Sequence, residues 1–86
     1  MNMKLWNFLE RSQGIKNKSI YVENYHYEQD IDGSEYHFAE INIEDIDSET
    51  YEASYLVEEK TRKELIKQCL WLTQEYFPDE PLFIEI

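Results

Sequence analysis

Two histidines and a nearby acid are the residues of this chain that could most directly support metal chemistry. His26 and His37 lie on either side of an Asp-Gly turn, and Glu28 follows the first of them. Alternation in both segments predicts the two imidazoles on one face, and two imidazoles with a carboxylate can hold a divalent metal. The pattern offers no further ligand. A metal protein built on these histidines is therefore the last of three functional hypotheses, and no metal or cofactor is predicted.

The turn between the histidines also has a partial likeness to a calcium-binding loop. Its acids stand at alternate positions in Glu28-Gln-Asp30-Ile-Asp32-Gly33. A calcium loop begins with Asp and has a bidentate Glu at its twelfth position, whereas this segment begins with Glu and has Ala39 there. A hairpin turn accounts for the same residues, so calcium binding is not predicted.

The single cysteine and the absent motifs argue against catalysis. Cys69 lies near Leu65, Leu70 and Leu72 on the apolar side of a predicted helix. A nucleophilic thiol needs a base and some exposure, so a buried, inert thiol is expected here. The chain has no glycine-rich phosphate loop, no Ser-His-Asp arrangement and no nucleotide fingerprint. We predict that the protein is not an enzyme.

A β-hairpin is the clearest local prediction. Residues alternate with a period of two from Ser19 onward, on both sides of Asp32-Gly33, and Asp-Gly suits a turn in which both residues need positive φ. A two-residue loop pairs Tyr27 with Phe38 and Val22 with Ile43, which sorts the side chains by face. One predicted face is mainly aliphatic and carries Ile20, Val22, Asn24, His26, His37, Ala39, Ile41 and Ile43. The other is aromatic and acidic and carries Tyr21, Glu23, Tyr25, Tyr27, Tyr36, Phe38, Glu40, Asn42 and Glu44.

Helical spacing appears near both ends of the chain. Apolar residues from Met3 to Arg11 share one stripe, with Asn2 as the expected N-cap and Gly14 as the expected stop. A longer helix begins with the capping box Thr61-Arg-Lys-Glu64, carries a wide apolar face and ends before Pro78.

Two further strands complete the predicted sheet. Tyr51 to Glu58 alternates and predicts a third strand, although a helix beginning near Glu49 is an open alternative because Glu, Ala and Leu also favour helix. Pro81–Ile86 predicts a last strand beside the hairpin. The whole chain of 86 residues is then one α+β domain in the order α-β-β-β-α-β, with an antiparallel sheet of three to four strands and both helices on one face.

Charge is strongly segregated along the chain. The formal net charge is −11. The segment from Ser19 to Glu59 contains thirteen acidic residues and no Lys or Arg. Such a surface repels nucleic acid and anionic membranes and attracts basic proteins. No apolar run approaches the ~18 residues of a membrane span, and a cytoplasmic location is the default expectation.

The first functional hypothesis is a non-enzymatic binding protein of the inhibitor, immunity or anti-defence type. Its acidic and aromatic sheet face would dock on a basic, nucleic-acid-binding protein, in the extreme case as a nucleic-acid mimic. Aromatic rings supply anchors and carboxylates supply steering. The residues expected to bind the partner are Tyr21, Glu23, Tyr25, Tyr27, Tyr36, Phe38, Glu40, Glu44, Asp45 and Asp47.

Two alternatives remain open. The acidic face could be only a solvated surface with no binding role. The second functional hypothesis is a structural or assembly subunit that self-associates through an exposed sheet edge or an apolar helix face. The expected oligomeric state of the protein is a monomer or a homodimer. Trp6, Trp71 or the segment Leu82–Ile86 would form that interface.

Overall fold

The computed structural model describes residues 3–86, and the predicted N-cap at Asn2 lies outside them. Helices and strands follow in the predicted order, and the α+β class is confirmed. The third strand is present, so the alternative helix from Glu49 is wrong. The elements are α1 (Met3–Gln13), β1 (Lys18–Gln29), β2 (Glu35–Asp45), β3 (Thr50–Glu59), α2 (Arg62–Tyr76) and β4 (Leu82–Ile84).

The four strands form one sheet in the order β3-β2-β1-β4. β1, β2 and β3 are antiparallel neighbours, as predicted, but β4 runs parallel to β1. The parallel pair follows from connectivity, because α2 carries the chain back along the sheet after β3 and β4 then runs in the direction of β3 and β1. The sheet is therefore mixed, with a three-residue parallel strand at one edge.

Both helices cover the same side of the sheet, which we call the inner face. Phe8 of α1 contacts the rings of Tyr55 and Phe77, with centroids 5.6 and 6.0 Å away. Thr61 caps α2 as predicted, since its side chain accepts a hydrogen bond of 3.1 Å from the backbone N–H of Glu64. The buried apolar core consists of Phe8, Ile15, Ile20, Val22, Ala39, Ile41, Ile43, Ala53, Val57, Leu65, Cys69 and Leu72.

The helices of the described region are too short or too polar to cross a membrane. α1 is an amphipathic helix of 11 residues, and α2 has 15 residues.

The hairpin loop is longer than predicted, and this changes the strand register. The backbone N–H of Asp30 donates to the carbonyl of Ser34, and Gly33 has a φ of 90° inside a loop that joins Gln29 to Glu35. The two-residue Asp32-Gly33 loop is therefore wrong. Near the loop, Tyr27 pairs with His37 instead of with Phe38. The pairing between β1 and β2 is therefore displaced by one residue relative to the prediction.

A β-bulge between Glu23 and His26 displaces the register a second time. Asn24 has a φ of 58° there, in the left-handed region that Asn tolerates better than most residues. Before the bulge Val22 pairs with Ile41, and the predicted alternation of faces is recovered. Between bulge and loop the predicted faces of β1 are exchanged: Tyr25 and Tyr27 lie on the inner face, and His26 lies on the opposite face.

Candidate functional site

The side of the sheet that the helices leave uncovered, which we call the outer face, carries most of the candidate residues. Its charge is predominantly negative, because five strand glutamates and Glu85 lie on it or beside it. It is also aromatic, and several of its rings lie in contact. The register assigns to this face Glu23, Glu28, Glu40, Glu44 and Glu58, together with Tyr21, Tyr36, Phe38, Tyr51 and Phe83. Glu85 follows directly after β4, and its charge acts on the Tyr21 hydroxyl.

A row of three aromatic rings crosses one half of the outer face. Tyr21 of β1 stacks on Phe83 of β4 with centroids 5.0 Å apart, and it meets Tyr51 of β3 edge-on at 6.2 Å. Tyr51 and Phe83 are about half exposed. Partial burial, followed by the charges of Glu44 and other glutamates, raises the pKa of Tyr21. Exposed rings surrounded by carboxylates form a surface that suits a cationic partner.

Glu23 is the polar centre of this row. Its carboxylate accepts hydrogen bonds from the Nδ2 of Asn42 at 3.0 Å and from the Tyr51 hydroxyl at 3.3 Å. Asn42 lies on β2, between the strands that carry Tyr21 and Tyr51, and it is only 3% exposed. Since Tyr51 reaches from β3 to Glu23 on β1, its side chain passes over β2 and covers Asn42.

The contact with Glu23 gives Tyr51 an unusual titration. The hydrogen bond to Glu23, then partial burial and the nearby negative charges, raise the pKa of Tyr51 to about 12. We expect Glu23→Gln to lower this pKa towards 10, because the substitution removes the charge that disfavours the phenolate. Ring-carbon NMR during an alkaline titration resolves the individual tyrosines. Glu28→Gln on the same face should leave the Tyr51 titration unchanged, and an equal effect of both variants would contradict the assignment.

The loop end of the outer face has a different character. His26 stacks on Phe38 with centroids 4.6 Å apart, and the Lys60 ammonium lies 4.4 Å from the ring centre of Tyr36. Glu28 and Glu58 line a shallow cavity of about 490 Å³ beside these rings. Lys60 brings a positive charge to this end, so the acidic character is strongest around Glu23.

Tyr25 and Tyr27 form a separate cluster with His37 on the inner face. The Tyr25 hydroxyl is 2.8 Å from Nδ1 of His37, and the Tyr27 ring lies 5.0 Å from the imidazole. Their predicted position on the acidic face is wrong, because the bulge exchanges the faces of this segment. The predicted shared face of His26 and His37 is wrong for the same reason. Within residues 3–86, no three His, Cys, Asp or Glu side chains are grouped as metal ligands.

Asp45 and Asp47 stand at the turn between β2 and β3 instead of within the outer face. The Asp45 carboxylate accepts a hydrogen bond of 3.0 Å from the backbone N–H of Asp47. The Asp47 carboxylate accepts one of 2.9 Å from the side chain of Asn17. Both carboxylates hold the turn in shape, and their predicted contact with a partner remains a prediction.

The thiol of Cys69 is free and buried. Burial, with a smaller effect of Glu59, raises the pKa of Cys69 from 9.0 to about 11. The folded state thus holds the thiol proton more tightly than the unfolded chain does. Its contribution to stability is complete below about pH 9 and is lost as the pH rises to about 11.

This shift predicts a measurable alkaline destabilisation. From pH 8 to pH 11 the free energy of unfolding in urea should fall by about 1–2 kcal/mol more in the wild type than in Cys69→Ala. Tyrosines contribute to the decline in both proteins, so the difference isolates the thiol. A thiol reagent should label Cys69 slowly at neutral pH in the folded protein and rapidly in urea. Rapid labelling of the folded protein would contradict the buried position.

Comparisons of the chain with protein families, with curated proteins and with solved structures gave no match.

Sequence reasoning missed the residues that close the aromatic row. Tyr51 and Phe83 belong to strands whose neighbours could not be assigned from the sequence alone, and Glu85 follows the second of these strands. Asn42 was placed on the correct face, but without any sign that it is buried. The sequence offered one signal of this burial: the short amide side chain of Asn42 stands between Ile41 and Ile43, on a face whose other side chains are long.

Proposed function

We propose that this protein is a non-enzymatic inhibitor or immunity-type binding protein whose outer face docks on a basic, nucleic-acid-binding protein. The supporting observation is the composition of the face itself: five glutamates lie among five aromatic residues, on the side of the sheet opposite the helices. The face then occupies a surface that the partner otherwise uses for phosphates.

The exposure of the rings supports a docking role over simple solvation. Tyr51 and Leu56 are 55% exposed, and Phe83 is 45% exposed. A face that served only to keep the protein in solution would gain nothing from these exposed apolar groups, whereas interfaces use aromatic side chains as anchors.

The charge of the face determines the kind of partner. The carboxylates acting on the Tyr21 hydroxyl are those of Glu44, Glu85, Glu23 and Glu49. A second copy of the same face or a nucleic acid is repelled by this potential, and a basic surface is attracted. A partner that binds phosphates already presents such a basic surface.

Capture followed by competition tests the proposal. The tagged chain is used to isolate partners from its host and from organisms that attack or compete with the host, and the captured protein is then purified. We expect a basic protein whose binding weakens as salt rises, and from which the chain displaces a labelled nucleic-acid duplex. Simultaneous binding of duplex and chain, or binding that ignores salt, would contradict the proposal.

A second candidate function, self-association through the helices, is favoured by one observation. Trp71 of α2 is 53% exposed and lies edge-on to the half-exposed Tyr76, with centroids 6.4 Å apart. These rings lie on a helix, away from the acidic sheet. A dimer mass in light scattering that is independent of salt and is lost in Trp71→Ala would support this function. A monomer at all concentrations would exclude it.

A further inference from the structure

One buried polar atom of the outer face has no hydrogen-bond partner. Within the described residues, the Oδ1 of Asn42 is inaccessible and accepts no hydrogen bond. The amide cannot turn over to improve this, because Glu23 needs the Nδ2 group as a donor and a carboxylate can only accept. Leaving a buried acceptor unpaired destabilises a protein, and such an atom needs an explanation.

The atom lies beside other acceptors and below a displaceable ring. Asn42 and Glu23 together present amide and carboxylate oxygens, and the Tyr51 side chain that crosses over them is 55% exposed. Its hydroxyl reaches Glu23 at 3.3 Å, which is long for an O–H···O hydrogen bond. Moving Tyr51 aside requires the loss of this long hydrogen bond and of the edge-on contact with Tyr21, and it opens Asn42 to a ligand.

A cation with several donors would suit this position. A donor bound here would satisfy Oδ1 of Asn42 and replace the Tyr51 hydroxyl at Glu23. The Tyr21 ring lies beside it, with its centroid 6.2 Å from that of Tyr51. A guanidinium fits better than an ammonium because its planar fork donates in several directions at once, stacks on aromatic rings and is less strongly hydrated.

We propose that the pocket formed by Glu23, Asn42 and Tyr51 receives the guanidinium group of an arginine from the partner. The inference rests on the proposed function and names the side chain that the acidic face recognises. Tyr51 acts as a movable cover that packs on the arginine once it is bound. The surrounding carboxylates steer the basic partner, and this pocket selects arginine over lysine.

Peptides of six arginines and six lysines serve as probes, measured by calorimetry at one ionic strength. We expect the wild type to bind the arginine peptide about tenfold more tightly than the lysine peptide, the difference that hydrogen bonds to a charged group supply. Asn42→Leu, of similar size, should reduce this preference to about threefold or less. Its affinity for the lysine peptide should change little, and circular dichroism checks that the variant is folded.

A second variant should change the affinity in the opposite direction. Tyr51→Phe keeps the ring but frees Glu23, so the arginine peptide should bind more tightly than to the wild type. Glu28→Gln, on the loop end of the same face, removes one charge and should weaken both peptides equally.

The outcomes separate this inference from the proposed function. An arginine preference that survives Asn42→Leu, or a weaker affinity in Tyr51→Phe, would overturn the arginine pocket. Equal binding of both peptides by the wild type would also overturn it, while leaving the acidic docking face intact. Failure of both peptides to bind would contradict the proposed function as well.

Discussion

Ile41→Ala should lower the free energy of unfolding by about 3–4 kcal/mol, the usual cost of truncating a buried Ile. Ile41 is fully buried at the centre of the inner face, between Val22 on β1 and Tyr55 on β3. A domain of this size has roughly 5–10 kcal/mol of stability in total. The variant should therefore unfold at a much lower urea concentration, measured by circular dichroism.

Leu56→Ala is the matched control for this truncation. Leu56 lies on the neighbouring strand, one residue beyond the partner of Ile41, but on the outer face, where it is 55% exposed. Its removal should change the free energy of unfolding by less than about 1 kcal/mol. Comparable losses in the two variants would mean that the two faces of the sheet are not divided as described.

The double charge reversal Glu40→Lys and Glu44→Lys should have the largest effect on binding. Both residues lie on the outer face of the central strand β2, on either side of Asn42. Replacing two carboxylates by ammonium groups turns local attraction for a basic partner into repulsion. We expect at least about tenfold weaker affinity for the captured partner at low salt, mainly through slower association.

A control of equal charge separates this face from the charge of the whole protein. Glu10→Lys with Glu75→Lys changes the net charge by the same amount, from −11 to −7, at exposed positions of α1 and α2. Its affinity should stay within about threefold of the wild type at the same salt, because the local surface is unchanged. Equal losses in both double variants would show that net charge alone governs binding.

Much of the fold was predictable because its signals are local. The capping box at Thr61, the alternation on either side of Gly33 and the apolar stripe around Phe8 each depend on residues within a few positions. These signals located the strands and helices of the described region. The direction of β4 was missed because pairing between distant segments depends on the path of α2 across the sheet, which no short pattern encodes.

The predicted strand register was wrong at two places, because a displacement of one residue moves every following side chain to the other face of the sheet. The loop from Asp30 to Ser34 and the bulge at Asn24 each displace the pairing by one position. Together the two displacements restore the predicted faces on the N-terminal side of the bulge. Between the bulge and the loop only one displacement acts, and it moves Tyr25 and Tyr27 to the inner face. Asn24 is compatible with positive φ, but Asn also occurs in ordinary strands and loops. Its presence alone therefore does not predict a bulge.

The acidic and aromatic composition of the candidate site was predictable from the sequence, but the contacts between its side chains were not. Alternation placed Tyr21, Glu23, Glu40 and Glu44 on one face correctly, because all four lie in the paired segments Ser19–Glu23 and Glu40–Glu44, where the predicted faces are recovered. The contact between Glu23 and Tyr51 joins strands that are not neighbours, and it depends on a side chain crossing over β2. Such a contact follows only from the assembled sheet.

Blocking each side of the molecule in turn tests the docking face most directly. A bulky maleimide is attached either at Ser54→Cys, which lies exposed on the outer face opposite Asn42, or at Gln74→Cys, which lies exposed on α2. The buried Cys69 remains unlabelled in both. The account predicts that the label at position 54 abolishes binding of the captured partner and that the label at position 74 leaves it intact. The reverse pattern would place the interface on the helices and contradict the account.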